Sequence, residues 1–268
     1  MSQKIILVTG GSSGIGKSIG SYLKSKGFKV YGTTRTKSNY PDFSDFDLLE
    51  MDVRKVTSIH QAVQEIISRE GRLDVLVNNA GIGITGPIEE TPHEEILKVF
   101  ETNFHGPLHV AKSVMPQMRQ QGGGTIINIT SIAGYMGLPF RGIYSATKGA
   151  LELVTEALRM EAKDSRIHIC SLAPGDFATN IASGRYHVPV SEGSVYKKYG
   201  DALKMMNAHV DAGQDPILVA KTVFKIVTSA SPKVHYKVGA PMQKFSVLLK
   251  KILPDKLYEK LLMNHYKL

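Results

Sequence analysis

Residues 4–20 read KIILVTGGSSGIGKSIG, and this stretch narrows the possible folds most. The continuous apolar run KIILVT (4–9) predicts a strand buried on both faces. The next residues, GIGKSIGSYLKSKG (14–27), carry helical spacing and end at a glycine. Between them lies a turn with Gly10, Gly14 and Gly16, together with Ser12, Ser13 and Ile15. Glycines permit a sharp turn and close backbone approach. The helix that follows offers free N–H groups and the positive end of its dipole to a phosphate. The spacing is TGxxxGxG rather than GxGxxG, but its place between strand and helix is that of a dinucleotide-binding turn.

The alternation continues along the chain. FKVYGTT (28–34), DLLEMDV (47–53), LDVLVNN (73–79), GTIINIT (124–130), IHICSLA (167–173) and KVHYKVG (233–239) read as further strands. Helical patterns lie at 14–27, 56–71, 92–119, 142–163 and 215–229. On the second of these Ile59, Val63, Ile66 and Ile67 share one face. Strands separated by helices predict right-handed β-α-β units and a sheet covered on both sides. The expected fold is therefore α/β, a Rossmann-like three-layer sandwich around a mostly parallel sheet of about seven strands. No linker or repeat divides the chain, so residues 1–268 are expected to form a single domain. Residues 176–214 are polar, rich in Tyr, Gly and Ser, and lack a strong period; they are expected to cover the substrate pocket. The tail 241–268 reads as helical, with Pro254 at the first turn of its second segment.

Net charge is +9, but the basic residues are dispersed and no nucleic-acid signature is present. Cys170 is the one cysteine, which excludes an intrachain disulfide and reads as a core thiol. The histidines show no metal-ligand grouping, so no catalytic metal is predicted. The first residues do not resemble a signal peptide and no apolar stretch is long enough to span a bilayer. A cytoplasmic location is expected.

An NAD site usually places a carboxylate at the end of the second strand, on the ribose 2′-hydroxyl. Here that strand end reads GTTRTK, with Thr34 at the acidic position and Arg35 after it. A guanidinium suits a 2′-phosphate. NADP(H) is predicted over NAD(H).

Tyr144 and Lys148, in YSATK, share one helix face at i, i+4. A neighbouring cation favours a phenolate, so Lys148 is expected to lower the Tyr144 pKa. The same spacing occurs at Tyr22 and Lys26, inside the first helix, where it reads as structural.

Taken in order, TGGSSGIG, NNAG (78–81), TSIAG (130–134), YSATK and APGDFAT (173–179) resemble the short-chain dehydrogenase/reductase family over roughly residues 3–240. The resemblance implies that Asp52 and Val53 hold the adenine, and that Asn79, Ala80 and Gly81 lie under the adenosine ribose. It implies Asn103, Ser131, Tyr144 and Lys148 as the catalytic set. It also implies that Tyr144 and Lys148 touch the cofactor, and that Pro174, Gly175 and Thr179 meet the nicotinamide. Ser131 precedes Tyr144 by the family's usual 13 residues. The implied reaction moves a hydride between the nicotinamide and a carbonyl or secondary alcohol. A homodimer or homotetramer through the helices at 92–119 and 142–163 is implied as well.

Within 176–214 lie Phe177, Ile181, Tyr186, Val188, Val190, Val195, Tyr196, Tyr199, Met205 and Met206. With Tyr135, Met136, Leu138 and Phe140 they predict a bulky apolar substrate. The tail holds six lysines against one aspartate and one glutamate. Packing on the pocket, a subunit contact and peripheral contact with an anionic membrane all remain open for it. A tail after the YKVG strand resembles the branch acting on steroids, retinoids or keto-lipids such as 3-ketosphinganine. The leading expectation is a reductase. The alternatives are an alcohol dehydrogenase working oxidatively and a non-catalytic NADP-binding sensor.

Overall fold

The computed structural model describes residues 3–178, 184–211 and 213–268. Seven strands form one sheet: β1 (Ile5–Val8), β2 (Lys29–Thr34), β3 (Asp47–Glu50), β4 (Val75–Asn78), β6 (Gly124–Ile129), β7 (Ile167–Pro174) and β9 (His235–Val238). Their order is β3-β2-β1-β4-β6-β7-β9, and every pairing in this sheet is parallel. The order reverses between β1 and β4, where an open α/β sheet leaves a crevice at the strand carboxyl ends. A separate two-stranded ribbon joins β5 (Ile84–Thr85) to β8 (Tyr186–His187).

Side chains alternate across each strand, so one sheet builds two cores. Ile6, Val8, Val77, Ile127 and Leu172 face one way. They pack on Ile19 and Leu23 of α1 (Gly14–Ser25) and on Val219, Val223 and Ile226 of α7 (Ile217–Thr228). Leu7, Leu76, Ile126 and Ile169 face the other way. There they meet Ile59, Val63 and Ile66 of α2 (Val56–Glu70) and Val110, Val114 and Met118 of α4 (Gly106–Gln120). The three α2 residues are 0% exposed, and each such burial contributes about 1.5–3 kcal/mol. Cys170 lies in the first of these cores, as expected, and burial pushes its thiol up to about 12.

Three expectations need correction. The helix expected at 92–119 is not continuous: α3 (His93–Phe100) passes through a π-helical turn at Glu101–His105 before α4 begins. Residues 176–214 are not irregular throughout, because α6 (Tyr199–Asp211) forms there. Its Tyr199, Ala202, Leu203 and Met206 are buried at helical spacing. Pro254 precedes the last helix rather than opening it.

The tail forms α8 (Pro241–Ile252) and α9 (Asp255–His265) and packs back on the chain. Val247 and Tyr258 meet Ile132 and Met136, while Tyr266 joins Tyr199 and Leu203. The outer face leaves Met242, Phe245, Leu248 and Ile252 exposed. Among the described residues, no helix is long and apolar enough to cross a membrane.

Candidate active site

A cleft of about 380 Å³ runs along the carboxyl ends of the central strands. Its floor is the turn between β1 and α1. Gly10 and Gly14 hold φ of +63° and +52°, a region that favours glycine. A β-carbon at Gly16 would collide with the Gly10 carbonyl and the Asn79 side chain. Asn79 fixes the turn from β4, its Nδ2 donating to the carbonyls of Thr9 (2.9 Å) and Gly10 (3.1 Å). Thr9 Oγ1 accepts from the amides of Asn79 and Ala80, both at 2.9 Å. Ser13 precedes α1 without capping it through its side chain, and no acidic residue lies in the first turn. The first N–H groups of the helix thus face the cleft with no side-chain oxygen on them. Ser12, Ser13, Gly14, Ile15 and Gly16 all line it.

At one end β2 delivers Thr34, nearly buried, and Arg35, exposed. Among the described residues Arg35 makes no ion pair. Asp52 and Val53 line the same end. Arg54 grips the Asp52 carboxylate through two bonds of 3.0 and 2.6 Å and holds it below its usual range. Ala80 and Gly81 form the wall next to the turn.

The other end gathers the reactive groups. β6 ends just before Ser131, whose Oγ caps the next turn by accepting from Ala133 N at 3.1 Å. Ser131 Oγ also lies 3.5 Å from the Pro174 carbonyl, to which it donates. Tyr144 and Lys148 stand on α5 (Gly142–Glu161), and the Ser131 hydroxyl faces the phenol. Lys148 is 4% exposed and donates to the Ile129 carbonyl at 2.9 Å. Asn103 occupies the π-helical turn, a distortion frequent at functional sites. Its side chain is clamped on the Ile82 backbone, accepting from N and donating to O at 2.9 Å each, and donates to Thr147 Oγ1 at 3.3 Å. A β-carbon at Gly81 would stand 3.3 Å from Asn103 Oδ1 and 3.5 Å from Lys148 Nζ. That glycine therefore lets the two side chains approach one point of the wall.

The electrostatics revise one expectation. Burial pushes the Tyr144 phenol above its ordinary value, outweighing the opposing pull of Arg141 and Ser131. The cations that pull it down are Arg141, 5.5 Å from the ring centroid, and Arg185, rather than Lys148 at 6.0 Å. Tyr144 is thus a protonated phenol at neutral pH. Burial also draws the Lys148 ammonium down to about 8, against the raising effect of Glu152 one turn further along α5. Glu152 is itself held by Thr130 Oγ1 (2.5 Å), Ser171 Oγ (2.6 Å) and His235 Nδ1 (3.1 Å).

Sequence reasoning missed Arg141, Arg185 and Glu152. Glu152 could have been found, since Tyr144, Lys148 and Glu152 repeat at four-residue intervals on one helix face. Pro174 and Gly175 line the cleft, whereas Thr179 and Ile181 fall outside the described residues. The expected apolar lining is only partly there. Phe177 lies on the cleft, but Val188, Tyr199 and Met206 pack with Tyr266 in a core of their own, and Val190 and Val195 are exposed. Arg141, Arg185 and Asp176 stand beside Tyr144 instead.

Comparison with known proteins agrees with this geometry. The profile of the family described as short chain dehydrogenase matches residues 4–187. A 3-ketodihydrosphingosine reductase of Bacteroides thetaiotaomicron is 39% identical, covering 99% of each chain. An NADPH-dependent 3-dehydrocapnine reductase of Ornithobacterium rhinotracheale is 30% identical, covering 99% of this chain and 98% of that one. The crystal structure of a short-chain dehydrogenase from Streptomyces avermitilis superposes with a TM-score of 0.79 at 29% identity, covering 98% and 97%.

Proposed function

This chain belongs to the short-chain dehydrogenase/reductase family and is an oxidoreductase, and from that premise we propose that it is an NADP(H)-dependent reductase of long-chain keto-lipids. The observation that carries the reading is the meeting of Ser131, a protonated Tyr144 and a buried Lys148 at one end of a cleft whose floor is the glycine turn. The substrate class is supported by the two relatives' names. NADP(H) is supported by Arg35, which makes no ion pair among the described residues, and by the lack of a carboxylate at the end of β2.

The turn fits a dinucleotide, because glycines at 10 and 16 let the backbone close against Ala80 and Asn79 and leave the first N–H groups of α1 facing the cleft without a side-chain cap. Gly10 to Gly16 and the start of α1 would hold the diphosphate, Arg35 and Thr34 the 2′-phosphate, and Asp52 and Val53 the adenine end. Asn79, Ala80 and Gly81 would lie under the ribose, and Pro174, Gly175 and Thr179 beside the nicotinamide. When bound, the reduced cofactor supplies a hydride to the carbonyl carbon. The Tyr144 phenol gives its proton to the carbonyl oxygen as negative charge develops there. The Ser131 hydroxyl donates a hydrogen bond to the same oxygen. Lys148 holds positive charge at the wall and steadies the phenolate left behind, and Asn103 fixes the Ile82 backbone that forms part of that wall. The whole chain, 1–268, acts as one domain in this reading.

The test is NADPH and NADH consumption with a ketone panel spanning steroids, retinoids and long-chain 3-keto-lipids. NADPH oxidation greatest with the long-chain 3-ketones supports the reading. Equal use of NADH removes the cofactor claim, and activity confined to steroids or retinoids removes the substrate claim. Tight NADPH binding without turnover of any member would leave a sensor.

A further inference from the structure

The cleft wall beside Tyr144 is more basic than an apolar ketone needs. Arg141 immediately precedes α5 and places its guanidinium carbon 5.5 Å from the Tyr144 ring centroid. Arg185 reaches the same wall from the start of β8. Its stem lies against Gly83, where an added β-carbon would stand 3.0 Å from Cγ and Cδ. One of its terminal nitrogens donates to Asn207 Oδ1, a neutral partner. Both guanidiniums line the cleft with Ser131 and Tyr144, and the Arg141 charge acts on Arg185. Among the described residues neither has a carboxylate within ion-pair distance. Asp176, the acid on this wall, acts on Arg185 only from beyond ion-pair distance, and its Oδ2 accepts from Gln243 Nε2 at 2.7 Å. Half-buried cations are ordinarily paired, because desolvation without a counter-charge is unfavourable. Two that converge on a cleft without one leave room for an anion from outside, and guanidiniums bind oxyanions through paired N–H bonds.

We propose that Arg141 and Arg185 form a subsite for an anionic group carried by the substrate close to its ketone, such as a carboxylate, sulfonate or phosphate ester. The inference rests on the reductase reading and names the head of its substrate. The position favours the substrate over the cofactor diphosphate as the source of the anion. Arg141 stands one helical turn before Tyr144 at the reacting end, whereas the diphosphate cradle is at the Gly10–Gly16 turn. The anion and the ketone would then share one wall, with Tyr144 between the guanidiniums and Ser131.

The test compares two long-chain 3-ketones of equal length, one ending in a 1-sulfonate and one in a 1-hydroxyl, in the NADPH assay. The wild-type protein should favour the sulfonate, and Arg141→Met or Arg185→Met should reduce that preference by about ten- to hundredfold in kcat/KM. Equal kcat/KM for both ketones in the wild-type protein would overturn the subsite. So would variants that raise the KM for NADPH with both ketones alike, since the cofactor would then be the anion. Calorimetry with hexanesulfonate against hexanol reads the subsite without turnover. Saturable sulfonate binding that weakens in Arg185→Met supports it even if no ketone is reduced, an outcome that would count against the reductase reading alone. Absence of sulfonate binding to the wild-type protein would overturn the subsite itself.

Discussion

Two tyrosines in this chain are followed by a lysine four residues later, and the two pairs behave differently. In α1, Lys26 Nζ lies 5.3 Å from the Tyr22 ring centroid and 6.0 Å from that of Phe224. Tyr22 packs edge-on against Phe224 of α7 at 5.9 Å, and Lys26 is exposed. In α5, Lys148 Nζ lies 6.0 Å from the Tyr144 centroid but is almost fully buried. The pair with the closer cation–ring contact is thus the structural one. The difference is surroundings: Tyr144 opens onto the cleft at the carboxyl ends of the strands, beside Ser131, while Tyr22 closes a seam between two helices. Burial changes the chemistry of both members of the second pair, raising the phenol and drawing the ammonium down to about 8.

Five substitutions test that contrast. The largest effect is expected from Tyr144→Phe, which removes the proposed proton donor. Turnover in the NADPH assay should fall by about a thousandfold, within the range for general acid catalysis, while NADPH binding followed by fluorescence stays within a few-fold. Tyr22→Phe should leave turnover as it is. Arg35→Ala comes next. Losing a guanidinium–phosphate pair should raise the KM for NADPH by about ten- to hundredfold and leave that for NADH unchanged. A smaller effect is expected from Glu152→Gln. Its carboxylate favours the charged form of Lys148, so removing it lowers the Lys148 pKa, and the alkaline loss of activity should begin about one pH unit lower. A profile that superposes on the wild type would remove Glu152 from the account. The smallest is Lys26→Met, which gives up an exposed cation–π contact. It should cost about 0.5–1 kcal/mol in denaturant titration and nothing in turnover.

β1, β4, β6 and β7 were readable because they are largely buried on both faces and appear as apolar runs, whereas the edge strands β3 and β9 are only partly buried and were legible from their places between helical patterns. β5 and β8 were not, since two residues carry no period. α6 was hidden in a polar segment, although its buried Tyr199, Ala202, Leu203 and Met206 follow helical spacing. The π-helical turn left no mark because its residues continue the helical pattern on either side. Among the proposed catalytic residues, position relative to strand ends was legible. Charge at the site was less so, because Arg141 and Arg185 come together only through the path of the loops around them. The apolar residues of 176–214 looked like a pocket lining. Among the described residues Val188, Tyr199, Leu203 and Met206 pack on one another and on Tyr266 of the tail instead, a pairing that depends on where α9 folds back, while Phe177 does line the cleft.

The central claim is that Tyr144 acts as a protonated acid beside a buried ammonium. The most direct test is the pH dependence of single-turnover ketone reduction by the wild-type protein with saturating NADPH. Lys148 is charged below its folded pKa and neutral above it, so the rate should hold through neutrality and fall as pH rises through about 8. A rate that climbs across that interval would mean that the phenolate is the working form, and would contradict the account.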